Sequence, residues 1–338
     1  MNALTAIERR EDFVPATSAD PLSDVFRTVK MTSAAFFRLT ADDPSVADQL
    51  PCKTALSATV GGAKHTVTYY VVTEGNCFVT LAGGASVEVH AGQIVVFPRG
   101  DAHRISSEPV QAEPGPDCRF VPVELQLGAE IAGEARPKAK LVGGFVACDS
   151  GPFDLLMEHL PPIMIGEPTE QPELPSASEL IQFAMGKSDG LQVSRQTFLG
   201  RVTELMLMQV VRQHVQQMPE GSTTWLSALG DEFVGRAIAL MHGDPRRTWS
   251  INRLAREVGL SRSRFAERFT MLVGIPPMQY LAKWRMQTAA GLLCDNVNIA
   301  LVADEVGYSS EASFSRAFKK IVGVPPSRWR RRGELMAA

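Results

Sequence analysis

Cysteine is scarce in this 338-residue sequence, and what there is does not pair up. The five cysteines (Cys52, Cys77, Cys118, Cys148 and Cys294) are an odd number, lie far apart and form no C-x-x-C. That argues against a disulfide scaffold and for reduced thiols in a cytoplasmic protein. Long apolar runs are missing too, so neither a transmembrane helix nor a membrane partner is expected. The first twenty residues carry no apolar core behind a basic start, so a secretory leader is not expected there; a mobile tail is expected over 1–20. There is no nucleophile–base pair, no phosphate-binding glycine loop and no dinucleotide fingerprint, so the chain reads as a non-enzyme.

What is present is an ordinary globular composition, 45% apolar and 21% charged, in a chain long enough for two domains and a connector. The net charge of −3 conceals a split. From Asp231 to Ala338 there are 17 Lys and Arg against 10 Asp and Glu, a balance of +7 that leaves −10 for the rest. A basic third beside an acidic two thirds points to a polyanionic partner for the basic part.

That basic third contains one pattern twice. AREVGLSRSRFAERFTMLVGIPP begins at Ala255, and ADEVGYSSEASFSRAFKKIVGVPP begins at Ala303 with one extra residue after its first Ser. In the first copy Ile251, Leu254, Ala255 and Val258 lie on one face of a short helix. Gly259 turns the chain, Ser261 caps the next helix, and Phe265, Phe269 and Leu272 face inward. In the second, Ile299, Val302, Ala303 and Val306 precede Gly307; Ser309 is read as the cap, and Phe314, Ala317, Phe318 and Ile321 as the buried face. Two short helices around a glycine turn make a helix-turn-helix, here over 251–273 and 299–322. Between them PPMQYLAKWRMQTAAGLL predicts one long helix started by its proline pair, with Met286, Ala289, Ala290 and Leu293 on one face. Two recognition helices on one side of double-stranded DNA would enter successive major grooves, about 34 Å apart.

The outward positions fit that use. Arg262, Ser263, Ala266 and Glu267 in the first unit, and Glu311, Ala312 and Arg316 in the second, are the base-reading candidates. Arginine can bridge both guanine acceptors, a carboxylate can accept from cytosine, and small side chains can touch thymine methyls. Arg268, Lys319, Lys320, Arg328 and Arg330 are expected on phosphates, where they add affinity without sequence information. The alternative use of these helices is a protein-interaction module, which would show no salt-dependent DNA affinity.

Residues 231–332 resemble the DNA-binding domain of the AraC/XylS family of transcription regulators. The resemblance rests on both turns, on GIPPMQYLAKWRMQTAAGLL and on GYSSEASFSRAFKKIVGVPPSRWR. It implies base-reading roles for Ser263, Ala266, Glu267, Glu311, Ala312 and Arg316, a homodimer, and RNA polymerase as a partner if the protein is an activator.

Over 53–105 the pattern changes to short β-branched and aromatic runs, HTVTYYVV, NCFVTL, ASVEVH and QIVVFP, with EGN and AGG read as turns. Gly92 to His103 fits G-x5-P-x-G-x2-H, which resembles the second cupin motif. The fold class expected is α+β in two domains: a cupin-like antiparallel β-barrel over 21–165, a linker and helical connector over 166–230, and an all-α DNA-binding domain over 231–338. A small barrel can hold one small ligand, and His65, Tyr70, Arg99 and His103 are the candidates to orient a small-molecule effector. A metal ion held by His65, Cys77, His90 and His103, with Cys118 as another substitute, is the alternative, either as a structural or sensing site or as the centre of a metal-dependent cupin enzyme. Around His65, however, KHTVTYYVVTEG has no H-x-H and no acid before Glu74. The stretch after the barrel, LVGGFVACDSGPFDLLMEHLPPIM, reads as a strand, a short helix and a proline-rich exit. In the connector, 167–175 is a Pro/Glu linker, 177–185 a short helix, and 197–218 a strong helix. Its apolar stripe is drawn through Leu199, Val202, Leu205 (or Met206), Gln209 and Arg212 beside Met208, Val211 and Val215, either against its own barrel or as a dimer helix.

Overall fold

The computed structural model describes residues 20–41, 65–81, 84–109, 130–131, 138–149, 151–153, 156–168, 192–219 and 224–337. Two compact units emerge: Val25–Gly230, and Asp231–Ala338 together with the residues up to Asp24. The expected helix over 177–185, most of the 167–175 linker, Cys52, Cys118 and the 1–19 tail lie outside the described residues.

The first unit is a sheet domain. Its strands are β1 (Lys30–Ala41), β2 (His65–Leu81), β3 (Ser86–His90), β4 (Ile94–Phe97), β5 (His103–Ser106), β6 (Glu130–Ile131), β7 (Ala139–Asp149) and β8 (Met164–Gly166). They run in the order β6-β1-β7-β2-β4-β8, with β3 and β5 both on β2. All pairs are antiparallel except β1–β6. The expected antiparallel barrel is realised as a curled half-barrel.

The curl comes from β2. Its first half pairs with β4 and β7, its second half with β3 and β5. Glu74-Gly75-Asn76, read from sequence as a turn, lies inside this continuous strand, beside a register shift between Val72 and Glu74. Gly75 has φ +76°, and a Cβ there would run into the Lys138 carbonyl oxygen, so glycine serves a bulge rather than a reversal. Tyr70, Val72, Cys77, Val79, Val95, Phe97, Leu141 and Phe145 form the core on the inner face. The proline-rich stretch after β7 is likewise no exit, because Met164–Gly166 returns to pair with β4 as β8.

A 25-residue helix, α2 (Gln192–Gln216), packs on β1, β4 and β8 of this sheet. Among its described side chains, Val202, Thr203, Met206, Leu207, Val210 and Val211 are buried, at helical spacing. Of the stripe read from sequence, Val202, Met206 and Val211 are buried and Met208, Gln209 and Val215 half-buried, whereas Leu205 and Arg212 are exposed. Two contacts fix the helix. Thr203 Oγ1 hydrogen-bonds Tyr69 Oη at 2.9 Å, and the Gln213 amide exchanges two 3.1 Å bonds with the Glu167 backbone. One short helix precedes β1, α1 (Pro21–Thr28), and another follows α2, α3 (Trp225–Gly230).

The second unit is helical: α4 (Glu232–Gly243), α5 (Ile251–Glu257), α6 (Arg262–Val273), α7 (Pro277–Cys294), α8 (Ile299–Glu305), α9 (Glu311–Val322) and α10 (Pro326–Ala337). Helix α7 is its spine. It starts with Pro277 at a position where a missing N–H costs nothing. It buries Tyr280, Leu281, Trp284, Met286, Ala289, Ala290 and Leu293. Two aromatic chains fill the halves, Phe265–Phe269–Tyr280 in one and Phe314–Phe318–Trp329 in the other. Trp329 Nε1 also donates to the Ala290 carbonyl of the spine at 3.2 Å.

Candidate nucleic-acid interface

Both recognition helices begin on a serine cap. Ser261 Oγ accepts from Arg264 N at 3.4 Å, and Ser310 Oγ accepts from Ser313 N at 3.2 Å. The cap in the second motif is therefore Ser310, not Ser309: the extra residue lengthens the turn and the helix starts one position later. Counted from the caps, the two helices superpose. The fourth residue is Phe265 or Phe314, buried in both; the sixth is Glu267 or Arg316, exposed in both.

On α6, Arg262, Ser263 and Glu267 are exposed and Ala266 is half-buried; on α9, Glu311, Ala312, Arg316, Lys319 and Lys320 are exposed. Each helix thus buries its aromatic face and turns outward the side chains expected to meet DNA. Arg264, also exposed on the first turn of α6, and the half-buried Ser315 of α9 lie among them. Thr270 spends its hydroxyl on the Ala266 carbonyl at 2.7 Å. On α10, Arg328 is exposed and Arg330 half-buried.

Arg268 departs from its expected phosphate role. Its Nε and Nη2 donate to both carboxylate oxygens of Asp231, at 2.5 to 3.2 Å, and its guanidinium lies 5.5 Å from the Phe233 ring centroid. Asp231 also caps α4 by accepting from Phe233 N and Val234 N. Burial by itself would raise the Asp231 pKa, but Arg268 and the two amides outweigh it and hold the carboxyl below its ordinary value. Arg268 is a fastener between α6 and the start of α4.

In the sheet domain, the expected effector residues divide. Tyr70 and His103 come together, with His103 Nε2 2.8 Å from Tyr70 Oη. His103 Nδ1 lies 2.7 Å from the Asp101 carbonyl, which can only accept. So Nδ1 carries the proton, and Nε2 accepts from the tyrosine hydroxyl. The imidazole stacks on Phe97 at 3.7 Å, and burial drives its pKa down to about 4, against the opposing pull of Asp101. Arg99, at the hairpin before it, has Nε 3.5 Å from Asp101 Oδ2. His65 does not join them: five positions from Tyr70 on the same strand, it falls on the opposite face, with Tyr69. The metal alternative fares no better. His90 is exposed on β3, Cys77 is a core thiol whose pKa burial pushes up to about 12, and among the described residues no three His, Cys, Asp or Glu converge.

A curled sheet and a tandem helix-turn-helix unit in one chain define a class of protein, transcription regulators with an N-terminal cupin domain. The comparisons agree. The Cupin family model matches residues 20–216, and the Helix-turn-helix domain model matches 254–332. A putative AraC-like transcription regulator of Streptomyces lividans is 30% identical over 80% of this chain and 88% of its own length. One from Streptomyces antibioticus is 28% identical over 92% and 98%, and the regulator AlkR of Acinetobacter baylyi is 26% identical over 79% and 89%. This chain belongs to the AraC-like family of helix-turn-helix transcription regulators.

Sequence reasoning passed over one group that the tertiary structure brings forward, the 244–249 loop with Arg285. No signal in the sequence pairs them, because their partners are backbone carbonyls some forty residues away.

Proposed function

We propose that this protein regulates transcription by reading a two-segment site on double-stranded DNA through α6 and α9, without enzymatic turnover. The observation that carries this reading is the matched presentation of the two helices, each set by a serine cap, each with its phenylalanines buried and its polar face outward. Arg262, Ser263, Ala266, Glu267, Glu311, Ala312 and Arg316 would meet base edges, and Lys319, Lys320, Arg328 and Arg330 phosphates. In the sheet domain the Tyr70–His103 pair, with Arg99 at its rim, would orient a small-molecule effector. Ligand binding there would bias the regulator between states. A cytoplasmic homodimer, with RNA polymerase as a further partner if the protein is an activator, completes the reading.

The test is a salt-titrated binding measurement with the full chain, on DNA upstream of its own gene and on random duplex. Selective binding that weakens steeply with salt supports the reading. Equal, weak binding to both duplexes would reduce the two helices to a structural role.

A further inference from the structure

The two motifs touch through more than their shared spine helix. The loop 244–249 leads into α5, the first helix of the first motif, and it is stiff. Asp244 Oδ1 accepts from Arg247 N at 3.0 Å, the Asp244 carbonyl accepts from Trp249 Nε1 at 2.9 Å, and the Arg247 guanidinium lies 4.4 Å from the Trp249 ring centroid. Trp249 is buried, and the next residue, Ser250, caps α5. Whatever holds this loop therefore holds the first motif.

Three elements hold it. Arg285, half-buried on α7, donates from Nε to the Pro245 carbonyl at 2.8 Å and from Nη2 to the Arg247 carbonyl at 3.0 Å. Gly307, the turn glycine of the second motif, lies directly against the loop: a Cβ there would fall 2.6 Å from the Arg246 carbonyl oxygen and 3.0 Å from Arg285 Nη2. Arg246 Nη2 meets Asp304 of α8 at 2.9 Å, an exposed pair that contributes little alone. The equivalent glycine of the first motif, Gly259, has a similar φ (+78° against +79°) but nothing within 4 Å of a Cβ. The repeat is thus asymmetric. Gly259 serves only its own turn, whereas Gly307 also makes room for the other motif.

We infer that the 244–249 loop, Arg285 and the Gly307 turn form an inter-motif clasp that fixes the separation of α6 and α9, with Arg285 as its positioning residue. The inference rests on the two-segment reading of DNA proposed above. A rigid pair of readers demands one spacing between its two DNA segments, because each inserted base pair moves the second by about 3.4 Å and turns it by about 35°. A loosened pair tolerates several spacings but binds the native one less tightly, since it must be ordered on binding.

The experiment uses the full chain and a site selected by it from random duplexes. Four probes are compared: the selected duplex, two with one base pair inserted or deleted between the segments, and one with a segment scrambled. For Arg285→Met we expect affinity for the selected duplex to fall about tenfold, the penalty for altered spacing to shrink, and affinity for the scrambled probe to stay unchanged. An equal loss on all four probes, with the spacing penalty intact, overturns the clasp and leaves the two-segment reading standing. A wild-type chain indifferent to spacing and to scrambling overturns both. Should Arg285→Met fail to fold by circular dichroism, Gly307→Ala and Gly259→Ala carry the test. Both strain a left-handed turn, but only Gly307→Ala should relax spacing, and the same relaxation by both would also sink the proposal.

Discussion

Glu267 and Arg316 stand at the same step from their caps yet carry opposite charges, so on the proposed DNA reading the two helices would prefer different bases at that step. A guanidinium there favours guanine, and a carboxylate favours the cytosine amino group. Arg316→Ala is expected to cost about 1–3 kcal/mol on the selected duplex and to relax discrimination at one base pair, as read by binding to the four base variants at that position. Lys319→Ala should weaken all duplexes alike and lower the salt slope by about 1. Arg268→Ala should do neither. Its guanidinium is committed to Asp231, so the change should leave the salt slope alone and lower the thermal stability of the helical unit by about 1 kcal/mol. A changed slope would return Arg268 to the phosphates. The sequence showed that Arg268 is a cation on a recognition helix, but not that its partner lies 37 residues back, because ion pairs of that range leave no periodicity to read.

Elements show the same division. Helix faces in 251–322 were legible because burial follows a 3.6-residue period, and every apolar position assigned there is buried or half-buried. The caps were legible too, except where two serines stand in a row: Ser309 and Ser310 are chemically alike, and the helix start chooses between them. Strand ends were harder. Glu74-Gly75-Asn76 has turn composition, yet β7 pairs as far as Gly75 and β3 takes over at Asn76, so a continuous β2 results. Gly75→Ala should therefore act as a bulge substitution. It forces a side chain into a left-handed conformation and against the Lys138 carbonyl, and a loss of at least about 1–3 kcal/mol is expected in urea unfolding. A neutral outcome would mean that the strand relaxes there at no cost.

At the scale of the whole molecule, each unit keeps a histidine neutral. Burial lowers His103 to about 4 in the sheet domain and His242, stacked on Trp284 at 3.6 Å, to about 3 in the helical unit. Unfolded histidine titrates near 6.5, so between that pH and the folded values the unfolded chain binds more protons. Stability is thus fully present above about pH 6.5 and declines as the pH falls toward the folded values. Asp231, held below its ordinary carboxylate value, adds a loss of the same sign at still lower pH. Unfolding free energies from urea melts at pH 7 and pH 5 should differ by on the order of 1–2 kcal/mol per histidine. No change in the His103→Gln or His242→Gln variant relative to the parent's pH response would show that the substituted histidine is not the source.

The amino-acid order alone determined the two-domain class, the tandem motif, the positions turned outward on both recognition helices and the basic third that carries them. Each follows from short-range rules: period, cap, breaker and charge. Only the tertiary structure decided that Arg268 is a fastener and that Gly307 must be bare where Gly259 need not be. These depend on which distant backbone or carboxylate arrives beside a residue. Packing settles that, and no local spacing encodes it.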